Sequence, residues 1–513
     1  MPTQKLYRVG SNLRLLTVVV LGLALIAVAG SGRAGTSSSL AAKGGPGDSA
    51  PLSARAIAAG LGHSCALTST GGVKCWGYNG VGQLGDGTYL NRFAPVGVSG
   101  LSSGVTAIAA GGYHTCALTS TGGVKCWGNN HDGQLGDGTY LNRFTPVDVS
   151  GLSSGVTAIA TGDRHSCALT RAGGVKCWGQ NAFGRLGDGT TDNRLTPVGV
   201  SGLSSGVIAI ASSWLHSCAL TGAGGVKCWG HNYYDQLGDG TTSIARVTPG
   251  DVSGLSGGLI AIAAGGRHSC ALTSAGGVKC WGHNYFGQLG DGTTGRRRTP
   301  VDVLGLTGDV IAIATGGDHS CALARTGGVK CWGRNDDGQL GGAATPVDVS
   351  GLGIGVTAVA TGDRHSCALM SGGGVKCWGL NDDGQLGDGT VLERRMPVGV
   401  IGFGAAQRAT LAIVSRALTV TPTRIAAVKL ACGTHAPCRG TLTLAAAVMK
   451  LGSRTFSIAA GRTQTVRLRL TDRGFELLVG AKRLSARVRV SYEQPAGGSS
   501  TATRTIALTA PKR

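Results

Sequence analysis

A Cys-Trp-Gly triplet returns at an almost fixed interval along this chain, its tryptophans falling at Trp76, Trp127, Trp178, Trp229, Trp281, Trp332 and Trp378. The intervals are 51, 51, 51, 52, 51 and 46 residues. A period of that length implies one supersecondary unit per copy, each unable to bury its apolar face alone and so obliged to stack on its neighbours. The chain must fold as an array, and its function must be one that an array can carry.

The first copy runs from Ala56 to Thr88. AIAAG reads as a short strand of small and β-branched residues suited to a crowded interior, HSCALT and GGVKCWG as the next two strands, and the stretch around Pro95 to Val98 as a Pro-tolerant edge strand. Four short strands per unit, seven times over, predict a seven-bladed β-propeller.

The hairpin's register follows from its residues. If Cys65 faces Cys75, then Leu67 faces Val73 and the connection falls at Ser69-Thr70-Gly71, where Gly supplies the turn geometry. All four side chains share one face, because strand side chains alternate, and the sulfurs come within bridging reach. The 16 cysteines then pair without remainder as Cys65–Cys75, Cys116–Cys126, Cys167–Cys177, Cys218–Cys228, Cys270–Cys280, Cys321–Cys331, Cys367–Cys377 and Cys432–Cys438. Zinc held by His63 and Cys65 and their counterparts, such as His114 and Cys116, is the weaker reading, since the second Cys already stands opposite the first. No metal or cofactor is expected. The repeated His reads as a turn residue whose ring bonds backbone ahead of its strand.

Residues 1–29 carry Lys5, Arg8 and Arg14, the apolar run Leu15 to Val28 and the small-residue signature Ala27-Val28-Ala29, the pattern of a secretory signal peptide; an uncleaved anchor is the alternative. Residues 30–55, rich in Gly, Ser and Ala, read as a flexible linker, residues 56–402 as the propeller and residues 403–513 as a second domain. A secreted or envelope-associated location is expected, with the cysteines oxidised. Charge is unevenly shared: residues 56–402 hold 23 Lys and Arg against 22 Asp and Glu, whereas residues 403–513 hold 18 against 3. A polyanionic partner, such as an anionic envelope polymer, is therefore expected at the C-terminal domain; no nucleic acid is expected.

The run G-x-x-H-x-x-A-L-T-x-x-G-x-V-x-x-W-G-x-N-x-x-G-Q-L-G-D-G-T, over Gly60 to Thr88 and in six further copies, resembles the repeat of the regulator of chromosome condensation family. The resemblance covers about residues 56–402 and implies a seven-bladed propeller. The family includes a nuclear guanine-nucleotide exchange factor and secreted bacterial members, among them a propeller-type inhibitor of β-lactamases. This chain departs from the nuclear pattern, because both hairpin positions are Cys in every copy and no copy carries an insertion of the kind expected for an exchange-factor wedge. Copy six lacks the DGT segment, running from Gly338-Gln339-Leu340-Gly341 to Thr345-Pro346, so its outer loop should be short.

Comparison of the copies separates constant turns from variable loops. The pair before each His varies, as in Gly112-Tyr113, Asp163-Arg164 and Trp214-Leu215, and so does the loop after CWG, with Phe183, Tyr233-Tyr234 and Tyr285-Phe286 in the middle copies and Asp336-Asp337 and Asp382-Asp383 in the last two. In an up-and-down blade both loops emerge on the same face. Aromatic anchors beside selecting charges make a recognition surface, which nominates Trp214, Tyr233, Tyr234, Tyr285 and Phe286, with Tyr113 and Phe183.

Catalysis finds no footing. The G-x-S-x-G pattern at 100–104, 151–155, 202–206 and 254–258 lies between blades without a strand-to-helix elbow. The NDDGQLGDG stretches near Asp336 and Asp382 lack the ligand alternation of a calcium loop and read as turns. Beyond Gly402, β-patterned runs at Thr441 to Ala445, Thr465 to Leu470, Ala486 to Tyr492 and Thr503 to Leu508 predict an immunoglobulin-like β-sandwich of about seven strands. If its strands are neighbours, Arg467, Arg469, Arg487 and Arg489 make one basic sheet. The fold class expected is all-β, a seven-bladed propeller followed by this sandwich. The function expected is an exported, monomeric, non-enzymatic scaffold for a protein or glycan, tethered by its C-terminal domain. A secreted enzyme inhibitor and an exchange or regulatory protein are the alternatives.

Overall fold

The computed structural model describes residues 52–339, 343–404, 411–432, 438–447, 449–459, 462–493 and 499–511, with the short paired pieces 20–21 and 24–25. The leader and the linker expected over residues 1–55 lie otherwise almost wholly outside the described residues. The chain divides into two units, one holding Ser53–Ile401 and the other Gly402–Arg513.

In the first unit, seven four-stranded antiparallel sheets follow one another, each made of four consecutive strands. Blade one consists of Ala54–Ala59, His63–Thr68, Val73–Gly77 and Arg92–Gly97, from the inside out. The innermost strand is small-residued because seven such strands converge, and Ala56, Ile57, Ala58 and Ala59 are buried. The register is the expected one: Cys65 faces Cys75 and Leu67 faces Val73. All seven hairpin disulfides form, each with Cα atoms 4.1 Å apart. In copy six, part of the shortened loop, residues 340–342, lies outside the described residues, and the fourth strand still forms at Ala343–Asp348.

Tryptophan and histidine lock each blade to the next. The indole of Trp127 donates to the carbonyl of Gln83 at 2.9 Å, and the same bond recurs around the ring until Trp76 reaches Gln385. A buried indole N–H must be satisfied, and the preceding blade does it. Among the described residues, the Gly that follows this Gln-Leu or Arg-Leu segment is fixed by the same contact in six copies: Gly85 has φ +69, and a Cβ there would stand 2.6 Å from Nε1 of Trp127.

The histidines were expected to bond backbone in their own turn; instead each Nε2 reaches a hydroxyl on the next blade. His63 meets Thr115, His114 meets Ser166, and the series runs on to His365 and Ser64, at 2.7–2.9 Å throughout. The physical reason is depth: the ring is wholly buried, and the nearest acceptor belongs to the neighbouring sheet.

The second unit has a three-stranded sheet of Leu411–Ile413, Ile425–Cys432 and Thr463–Arg469, and a five-stranded sheet in the order Ala417–Thr419, Ser499–Thr509, Arg483–Glu493, Cys438–Ala446, Met449–Ile458. Their inner faces share one core that includes Val428, Leu442, Leu468 and Val488. Cys432 and Cys438 are bonded. A helix, Asp472–Ala481, was not expected; the Thr471 hydroxyl accepts from the N–H of Gly474 at its start, and Leu478 is buried. Arg467 and Arg469 stand on one sheet and Arg487 and Arg489 on the other; the two strands are not neighbours, so the condition for one basic sheet is not met. The helix carries the chain from one sheet to the other between these strands.

Candidate functional site

The loops between first and second strands and between third and fourth strands open on one face of the propeller. The longer loop is held from within by its constant residues. Asn79 Oδ1 accepts from the N–H of Leu84 at 2.9 Å, while Nδ2 donates to Asp86 at 3.2 Å and to the Thr88 carbonyl at 3.0 Å. Asp86 also takes Thr88 and Arg92, the latter at 2.7 Å. Burial pushes the Asp86 carboxyl up, and hydrogen bonds from Thr88 and Arg92 outweigh it, leaving the group below its usual range. The Asp of each DGT is thus a structural clamp. Among the described residues no group of His, Cys, Asp and Glu is arranged to hold a metal.

On this frame the nominated aromatics come together across blades three to five. Phe183 stands edge-on to His231 at 4.6 Å between centroids. His231 neighbours Tyr233 and Tyr234 at 6.3 and 6.0 Å, and Tyr234 meets His283 at 5.2 Å. His283 stacks on Tyr285 at 6.5 Å, and Tyr285 lies edge-on to Phe286 at 5.0 Å. Tyr233 and Tyr285 point outward, 60% and 72% exposed, whereas Trp214, Tyr234 and Phe286 are half-buried. Tyr113 lies apart from this arc and pairs with Tyr78 at 5.8 Å.

Three arginines and two histidines complete the arc. The Arg267 guanidinium lies 5.6 Å from the Trp214 ring and 5.0 Å from the Tyr234 ring, with Nε buried and without a hydrogen-bond partner. Arg334 covers Phe286 at 5.0 Å. Arg185 is buried where the other copies have Gln; it donates to the carbonyls of Trp214 at 3.0 Å and Ala182 at 3.1 Å, and burial lowers its pKa to about 10. Arg185 thereby positions the Trp214 backbone. The sequence signal was present: Arg185-Leu186-Gly187 breaks a Gln-Leu-Gly found in every other copy. Arg267 could have been found in Gly266-Arg267, one of the variable pairs before the His.

The rest of the face is acidic and tied to arginine. Arg364 holds Asp337 at 2.8 Å, and Arg164 lies 3.6 Å from Asp132 and 3.4 Å from Asp163. Asp363 is pushed up to about 6, by burial first and by the neighbouring Asp318. The inner loops lace the channel mouth by backbone bonds, such as Asp163 N–H to the Ser213 carbonyl and Asp363 N–H to the Gly60 carbonyl, both 3.2 Å. A rigid rim with an aromatic, cation-stacked arc and a carboxylate-rich remainder can hold a ligand.

The RCC1-like domain family matches residues 30–304, and the regulator of chromosome condensation (RCC1) repeat matches residues 310–339 and 356–385. The chain is 32% identical over 283 residues to the ultraviolet-B receptor UVR8 of Arabidopsis thaliana, covering 54% of this chain and 64% of that protein. It is 37% identical over 274 residues to the E3 ubiquitin-protein ligase HERC2 of Homo sapiens, covering 52% of this chain and 6% of HERC2. The chain therefore spans less than two thirds of both relatives. Among solved structures, human WBSCR16 is similar with a TM-score of 0.55 at 26% identity, over 61% of this chain and 85% of that one. Prp20p from Saccharomyces cerevisiae shares the fold with a TM-score of 0.59 at 24% identity, over 71% and 89%. With seven four-stranded blades and matches across both halves of the array, this chain belongs to the RCC1-like domain family.

Proposed function

We propose that this chain is an exported, non-enzymatic binding scaffold that takes a protein or glycan ligand on the aromatic arc of the propeller face. The observation that carries this reading is the arc itself, in which Tyr233 and Tyr285 present exposed rings from equivalent positions of adjacent blades, backed by Tyr234, Phe286 and the Trp214–Arg267 stack. Large flat side chains on a rigid frame anchor a ligand at low entropic cost. Export is supported by the leader pattern and by the pairing of every described cysteine, since such bonds persist in oxidising compartments. The C-terminal unit reads as an immunoglobulin-like sandwich: Ala417–Thr419 runs parallel beside Ser499–Thr509 while the preceding strand, Leu411–Ile413, joins the other sheet.

The test is a pull-down from the native surroundings with the wild type beside a Tyr233→Ser, Tyr285→Ser double variant and a Trp214→Ala, Tyr234→Ala, Phe286→Ala triple variant. Loss of the same partner from both variants is expected. Equal recovery by all three proteins sinks the reading.

A further inference from the structure

The C-terminal unit turns a sheet face of hydroxyls and arginines outward. Along Arg483–Glu493 the side chains alternate, so that Ala486, Val488 and Val490 enter the core while Arg483, Ser485, Arg487 and Arg489 are exposed. The register extends this face over both neighbouring strands. Arg487 stands between Thr505 and Ala445, and Arg489 between Thr503 and Thr443. One strand further out, Thr443 faces Ser453 and Thr441 faces Thr455. The result is a row of guanidinium groups with a field of serine and threonine on either side. Arg487 and Arg489 are two strand residues apart, about 6.7 Å.

Among the described side chains of this unit, none on this face is acidic; Glu493 closes the same strand at its far end. The acidic side chains described in this unit, Asp472 and Glu476, both lie on the helix Asp472–Ala481, and Asp472 is paired with Arg424. Among the described residues, no ion pair engages Arg483, Arg487 or Arg489, and all three are exposed.

We propose that this face binds a linear phosphate polymer that carries no bases, its phosphates seated along the row from Arg483 to Arg489. Unpaired arginines attract a polyanion and release its counterions. Guanidinium forks match phosphate oxygens, and the flanking hydroxyls donate to the oxygens that remain. Single-stranded nucleic acid fits less well, because sites for it stack bases on aromatic rings and the outward positions named above carry none. An anionic bilayer also fits less well, since surface binders sink apolar side chains into it and the described outward positions of this face offer Arg, Lys, Ser, Thr and Ala. The inference concerns the C-terminal unit and stands whatever the propeller face binds.

The experiment uses the full-length chain and long-chain inorganic polyphosphate, with affinity measured at several salt concentrations. Arg487→Ser with Arg489→Ser is compared with Arg467→Ser and Arg469→Ser on the opposite sheet. The first pair is expected to weaken binding at least about fivefold more than the second, and to make the dependence of log K on log salt shallower by about 1.4. All four side chains are exposed, so the melting temperature should hold; if it does not, Arg487→Gln with Arg489→Gln replaces the first pair. A smaller difference between the two pairs overturns the site. Tighter binding to an oligo-dT strand or to phosphatidylglycerol vesicles than to polyphosphate overturns the ligand.

Discussion

His365 Nε2 stands 2.8 Å from Ser64 Oγ, across 301 positions of sequence, and this pair joins the last blade to the first. The Ser64 hydroxyl gives its own proton to the Gln385 carbonyl at 2.9 Å, so the imidazole must donate from Nε2. Ser64→Ala leaves that N–H buried without an acceptor. We expect a loss of about 1–3 kcal/mol, read as a lower urea midpoint at unchanged m-value. Wild-type stability in this variant would show that the bond does not hold the ring shut.

The same tautomer governs the response to acid. Burial, the largest cause in every case, lowers His63, His114, His216, His268 and His365 to about 3 and His319 to about 4, and holds His165 well below its usual value. Unfolded histidine takes up its proton near pH 6.5, so below that pH the unfolded chain binds more protons than the folded one. Stability is therefore full above about pH 7 and falls as pH drops toward 4, by about 1.4 kcal/mol per pH unit for each such ring. Urea unfolding at pH 7.5, 6 and 5 checks this, and equal midpoints at 7.5 and 5 would contradict it. Clamps such as Asp86–Arg92 add a loss only at lower pH, where the depressed carboxylates protonate.

Removing one hairpin bridge tests the frame. The cysteines of blade one are fully buried and ten positions apart. Cys65→Ser with Cys75→Ser should cost about 2–3 kcal/mol on the chain-entropy account. The folded wild type should give no reaction with a thiol reagent before or after brief exposure to mild reductant. Rapid release of thiols from the native protein would show that the sulfurs are accessible.

Fluorescence can report on the recognition face. Seven of the eight tryptophans, one per blade, are fully buried, and Trp214 is the half-buried exception. Acrylamide should therefore quench chiefly Trp214, and Trp214→Phe should abolish most of that quenching while leaving the melting temperature within a few degrees. A ligand seated on the arc should protect Trp214. Quenching that survives the substitution would place the accessible indole elsewhere.

What could be read in advance was what depends on local spacing. Cys65 opposite Cys75 follows from a two-residue alternation and a short turn, and so does every other bridge of the array. The partner of each His could not be read that way, because it belongs to the next copy: His63 finds Thr115, 52 positions on. A clue lay in the strand itself, since each His is followed at once by the Ser or Thr that receives the preceding blade's ring. Trp214, Tyr234 and Phe286 were visible as unlike residues among like copies, but Arg267 between two rings is a product of how inner and outer loops of adjacent blades interleave. Whether the two arginine pairs of the C-terminal unit share a sheet could not be read for the same reason, since strand order is decided by topology and not by alternation.

Each sheet is built from four consecutive strands, so no strand is shared across the seam where the ring closes. A cut between any two blades, with the old ends spliced, would leave every sheet whole. Duplication of one copy would likewise deliver a unit that already holds both halves of the coupling, a histidine to give and a hydroxyl to receive. The ring is thus permutable, and recombination between its copies can lengthen or shorten it without first inventing a new joint.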